Sequence, residues 1–120
     1  MTYKAEFCGT VFGHVGYTLA NTKKQLKDIL TKDQIRTIDF DLKPKAARCS
    51  ILDDMCVVSI NDEGCTTIQA YELLVHEAVH VFQHCCELMG EEAPSAEFEA
   101  YQIQFIASNL FAMYNDMKGI

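Results

Sequence analysis

Residues 66–90 read TTIQAYELLVHEAVHVFQHCCELMG, and the arrangement of the whole chain follows from this stretch. Thr66-Thr67-Ile68-Gln69 has the form of a capping box, in which the Thr66 hydroxyl accepts from the backbone three residues on while Gln69 reaches back. No Gly or Pro follows until Gly90, a residue suited to the left-handed stop of a helix. The spacing predicts one helix from Thr66 to Met89. Tyr71, Val75, Val79, Phe82, Cys86 and Met89 recur at three- and four-residue steps as its core stripe.

Beside that stripe lies His76-Glu77-Ala78-Val79-His80. Residues four apart on a helix share a face, about 6 Å apart along the axis. Two imidazoles so placed can converge on one zinc ion at Zn–N distances of about 2.0–2.1 Å. Glu77 stands about 60° round the helix from His80, able to reach a water on the ion without being a ligand. This is the H-E-x-x-H pattern of metal-assisted hydrolysis, with two ligands and a general base. His84 extends the series, but it falls about 12 Å along the axis from His76 and is expected to support the site at most. Nothing in the spacing draws His14 to it.

A catalytic zinc requires a third protein ligand and one open position. Glu87 is two turns beyond His80, and Glu91 and Glu92 fall in a loop before Pro94. Glu97 and Glu99 open the last helix and point about 160° apart, so one of them at most can face the ion. Glu99 projects within the apolar arc of Ile103, Ile106, Leu110 and Met113, where a carboxylate needs a partner. Glu97 shares a polar strip with Gln104 and Ser108, and also suits the positive end of a helix dipole. Spacing and polarity leave both open.

Working outward, Ser95 caps a final helix to about Asp116, apolar round most of its circumference and so packed on more than one neighbour. Upstream, residues 48–61 predict two strands around the turn pair Asp53-Asp54, with a second turn over residues 61–64. Residues 35–42 alternate like a strand ended by Pro44. Residues 22–32 predict a short amphipathic helix, and residues 3–17 one or two strands interrupted by glycines. Strands and one helix, then two long helices, indicate the α+β class. At 120 residues the chain is expected to form a single domain, residues 1–120, with no linker and no repeat.

The formal charge of −7 argues against nucleic acid as a partner, since phosphate binding needs clustered Lys and Arg. Scattered carboxylates give no sign of a nucleic-acid mimic. No apolar run reaches the ~18 residues of a membrane span, and the first residues lack the features of a secretory signal. A cytoplasmic location is therefore expected. There, the six cysteines are expected to be free and mostly buried.

HEAVH followed by an acidic helix resembles the gluzincin branch of zinc metallopeptidases. The longer string LLVHEAVHVFQH…GEEAPSAEFEAYQIQ is similar to small metallopeptidases encoded by bacteriophages, which would place the protein in a host cytoplasm. The similarity covers roughly the C-terminal half. It implies a small zincin-like domain: a short twisted sheet with one N-terminal helix, then the HExxH helix and a C-terminal helix. Glu97-Phe98-Glu99-Ala100-Tyr101 matches the family's Glu-x-x-Ala pattern, which implies Glu97 as third ligand, with Glu99 the alternative. Where relatives carry Asp, this chain has Tyr101, whose hydroxyl is then a candidate for the substrate oxyanion. The resemblance implies one catalytic Zn2+ and a peptide or protein substrate. An edge strand beside the motif helix would hold that substrate extended, with residues 55–60 as the candidate. Two other readings fit the same residues: a non-catalytic zinc-containing binding or regulatory protein, and a zinc amidase acting on a non-peptide substrate. The sequence leaves the oligomeric state open.

Overall fold

The computed structural model describes residues 2–120. Its elements, in chain order, are β1 (Cys8–Gly9), β2 (Gly16–Ala20), a 3-10 turn (Lys23–Leu26), α1 (Lys32–Arg36), β3 (Ala46–Leu52), β4 (Met55–Asn61), α2 (Thr67–Met89) and α3 (Ala96–Lys118). The strands form one sheet in the order β1-β2-β4-β3. β3 and β4 pair antiparallel with Cys49 opposite Val58 and Ile51 opposite Cys56, whereas β2 runs parallel to β4. This is an α+β fold.

The sheet separates two cores. Side chains alternate across a strand, so Cys56, Val58 and Ile60 face α2 and α3 while Val57 faces the other way. On the helix side they meet Leu74, Ala78, Val81, Ile106 and Leu110. On the opposite side Val57 packs with Ala5, Ala20, Leu26, Leu30 and Ile38 from the N-terminal segments. β4 is therefore buried on both faces and flanked by strands on both edges.

Both long helices start and stop as their sequences predict. Thr66 Oγ1 accepts from the Gln69 backbone at 3.1 Å, and Gln69 Oε1 accepts from the Thr66 backbone at 2.9 Å. Gly90 closes α2 at φ 71°, a conformation that costs a Cβ-bearing residue strain. Ser95 caps α3. Several polar links hold α3 down: among them, the Tyr71 hydroxyl donates to Asn115 Oδ1 at 2.6 Å, Tyr114 donates to Asp62 Oδ2 at 2.6 Å, and Asn109 donates to the Tyr17 hydroxyl at 2.8 Å.

The buried face of α2 is broader than the predicted stripe. Its centre is Ala70, Leu74, Ala78, Val81 and Cys85, which meet the sheet, while Tyr71, Phe82, Cys86 and Met89 form the border towards α3. Val75, placed in that stripe by spacing, is 41 % exposed. Small and medium residues at the centre let the helix lie close on the strands.

Three upstream expectations are corrected. Residues 35–42 are not a strand: Thr31 and Gln34 form a reciprocal capping box that starts α1, and the segment after it has no strand partner. Residues 22–32 hold only a one-turn 3-10 helix, again capped through Thr22 and Gln25, because the capping box of Thr31 begins a new element there. The strand proposed as the substrate-binding edge, residues 55–60, lies in the sheet interior as β4; the edge next to α2 is β3. Among the described residues no helix is long and apolar enough to cross a membrane.

Candidate metal centre

His76, Glu77 and His80 lie mid-helix in α2, where the backbone is fixed by hydrogen bonds on both sides and by the sheet beneath. Their ligand atoms fall within 4.8 Å of one another, the one such group among the described residues. The two Nε2 atoms are 3.3 Å apart, with the rings tilted 73° to each other. Two nitrogens held tetrahedrally about one zinc at ~2.0–2.1 Å would be separated by roughly 3.3–3.4 Å, so the observed spacing fits that donor set. The Nδ1–H of His80 points at Gln83 Oε1, 3.1 Å away, which leaves Nε2 with its lone pair free to ligate.

Both imidazoles are exposed, but Glu77 is only 3 % accessible. Burial pushes its carboxyl above the ordinary carboxylate range. The imidazoles of His76 and His80, the Arg48 guanidinium and the backbone N–H of Cys49 pull it part of the way back. A carboxylate held so is a stronger base than one in water.

The three residues line an open cleft of about 400 Å3 between α2 and β3, whose far wall includes Ala47, Arg48, Cys49 and Ile51. Ile51 is 51 % exposed there, an apolar contact beside a polar cluster. His84 also lines the cleft and is buried; its Nε2 donates to the Asp53 carbonyl at the β3–β4 turn, while Nδ1 has no hydrogen-bond partner. Asp53 is held at φ 55°, so this bond ties a left-handed turn residue to the helix. His14 lies away from the cleft wall, with Nε2 3.1 Å from the Cys85 carbonyl.

Glu97, Glu99 and Tyr101 are not brought to this cleft. All three are exposed on the first turns of α3, Tyr101 by 65 %. That end of α3 rests on α2 through Phe98 and Phe82, with ring centres 6.1 Å apart. Phe82 lies about 160° round α2 from His80. The contact therefore puts the start of α3 on another side of the helix.

Sequence reading passed over Cys49. It sits on β3 facing α2, and its thiol is directed towards that of Cys56 on the next strand. Sharing that hydrogen bond, together with burial, holds the Cys49 thiol well above its ordinary range and lowers that of Cys56. Only the β3–β4 register, which pairs Cys49 with Val58, reveals which wall it joins. All six cysteines are free thiols, and Cys56, Cys85 and Cys86 are buried. No protein-family model matches the chain, and neither a curated protein nor a solved structure does.

Proposed function

We propose that this chain is a zinc-dependent hydrolase acting on peptide bonds, a minimal HExxH metallopeptidase. The observation that carries the reading is the pairing of two imidazole nitrogens 3.3 Å apart with a buried carboxylate in the same cleft. A purely structural zinc site does not need a general base there.

His76 and His80 would hold the ion. When bound, zinc supplies Lewis acidity that polarises a carbonyl and acidifies water. Glu77 is the general base: it takes the proton from the attacking water and passes it to the leaving amine. Its partly water-excluded setting strengthens its basicity, and the α2 backbone keeps it in register with the two imidazoles. Gln83 fixes the His80 ring. β3 offers the substrate an edge: among the described residues its outer side has no strand partner, and it forms the opposite wall of the cleft. An extended peptide laid along that edge has its backbone hydrogen-bonded and its carbonyls presented to the cluster. Ile51 gives an apolar contact at one end. This edge supports peptide over a small-molecule amide.

The test measures zinc content and turnover of a peptide library by wild type and Glu77→Gln. One zinc per chain, cleavage by wild type and a loss of at least about 100-fold in the variant are expected. Stoichiometric zinc with no cleavage by either protein refutes the peptidase and leaves a zinc-binding protein; cleavage of non-peptide amides alone points to an amidase.

A further inference from the structure

We propose that the third protein ligand of the metal is the Cys49 thiolate, supplied from the sheet across the cleft and not from α3. The proposal rests on the zinc site formed by His76 and His80.

Two imidazoles leave a catalytic zinc one protein donor short. The donors that line the cleft beyond the cluster are Cys49, His84 and Glu87. His84 has committed Nε2 to the Asp53 carbonyl, and its Nδ1 is buried out of reach of solvent. Glu87 is seven residues beyond His80, about 10 Å along the axis, and its carboxylate stands 3.9 Å from His84. Glu97 and Glu99 are exposed and outside the cleft wall. Cys49 differs from all of these in direction. It comes from β3, opposite the helix, so a metal on His76 and His80 would be closed from the other side.

Local contacts place Cys49 beside the cluster. It lines the same cleft as His76, Glu77 and His80, and its side chain shares the helix-facing side of the sheet with Val58 and Cys56. Its sulfur is turned to Cys56 and lies outside the 4.8 Å group formed by His76, Glu77 and His80. Rotation about χ1 moves the sulfur from one staggered well to another without moving the strand. A soft thiolate is a favoured zinc donor. Coordination takes the thiolate, so binding releases the thiol proton to solvent.

X-ray absorption at the zinc edge distinguishes the donors, because Zn–S bonds are about 2.3 Å and Zn–N or Zn–O bonds about 2.0–2.2 Å. The expected result is one sulfur per zinc in the wild type, in Glu97→Ala and in Glu99→Ala, and none in Cys49→Ser. Zinc affinity should fall in Cys49→Ser by more than the 10- to 100-fold that loss of an outer partner costs. A sulfur-free shell in the wild type, which needs no variant, or a sulfur shell that survives Cys49→Ser overturns the assignment. Loss of affinity in Glu97→Ala alone would return the ligand to α3. Wild type that binds no zinc overturns the metal reading itself, so the two failures are told apart.

Discussion

Glu77→Gln should make the metal-free protein more stable while disabling it. Glu77 is 3 % exposed on the same side of α2 as Leu74, Ala78 and Val81, which are fully buried. Its charge is desolvated and only partly compensated by His76, His80, Arg48 and the Cys49 N–H. Gln keeps the shape and an acceptor for that N–H but removes the charge. An imperfectly paired buried group costs about 1–3 kcal/mol, more when charged. The compensation from the imidazoles argues for the lower end, roughly 1–2 kcal/mol, or a rise in Tm of roughly 3–6 °C per kcal/mol for a chain this long.

The sign of the pH dependence is fixed by the direction of the shift. The folded-state pKa of Glu77 is raised above the ordinary 4.5. Its contribution to stability is therefore fully present below the unfolded value and is lost as pH rises through the folded value. Each unit of separation corresponds to about 1.4 kcal/mol. The variant's advantage should accordingly be near zero in mild acid below that ordinary value and grow towards neutrality. The assay is thermal or urea unfolding of both zinc-free proteins across that range. Saturating zinc should shrink the difference, because the ion adds positive charge beside the carboxylate. A variant less stable than wild type at neutral pH, or an advantage that does not change with pH, would refute the reasoning.

Other outcomes follow from single contacts. Leu74→Ala, at a fully buried position facing the sheet, should cost about 2–5 kcal/mol in urea unfolding without altering the α2 caps. Asp62 has its pKa lowered: burial opposes this, but hydrogen bonds from Tyr114 and Lys118 and the charge of Lys118 outweigh it. Its stabilisation is therefore present above the ordinary 3.8 and lost as pH falls through the lower folded value. Asp62→Asn should flatten that acid limb and cost roughly 1–2 kcal/mol at neutral pH. Gln83→Ala frees the His80 ring and should weaken zinc binding about 10-fold, the low end for an exposed outer partner, as read by competition with a chelator.

Local patterns were strong where a single element satisfies itself. The capping box of α2, the glycine that ends it, the serine that starts α3 and the β3–β4 hairpin around Asp53-Asp54 all follow from neighbouring residues. So does the convergence of His76, Glu77 and His80, because one helical turn carries the whole geometry. Alternation in residues 35–42 misled, since a reciprocal cap between Thr31 and Gln34 is available locally and no strand was there to pair with. Spacing and polarity left Glu97 and Glu99 both open and only the family resemblance separated them, because their position depends on how α3 crosses α2. The packing of Phe98 on Phe82 decides that, a contact sixteen residues apart that no spacing rule encodes. The edge strand likewise depended on strand order. β2 enters beside β4 through a parallel pairing, which buries β4 and leaves β3 outermost, facing the cluster with Cys49. The sequence by itself determined the turn of α2 that carries His76, Glu77 and His80, because that geometry is local. Only the tertiary structure decided which wall stands opposite it, because strand order and helix crossing come from burying apolar surface between distant segments.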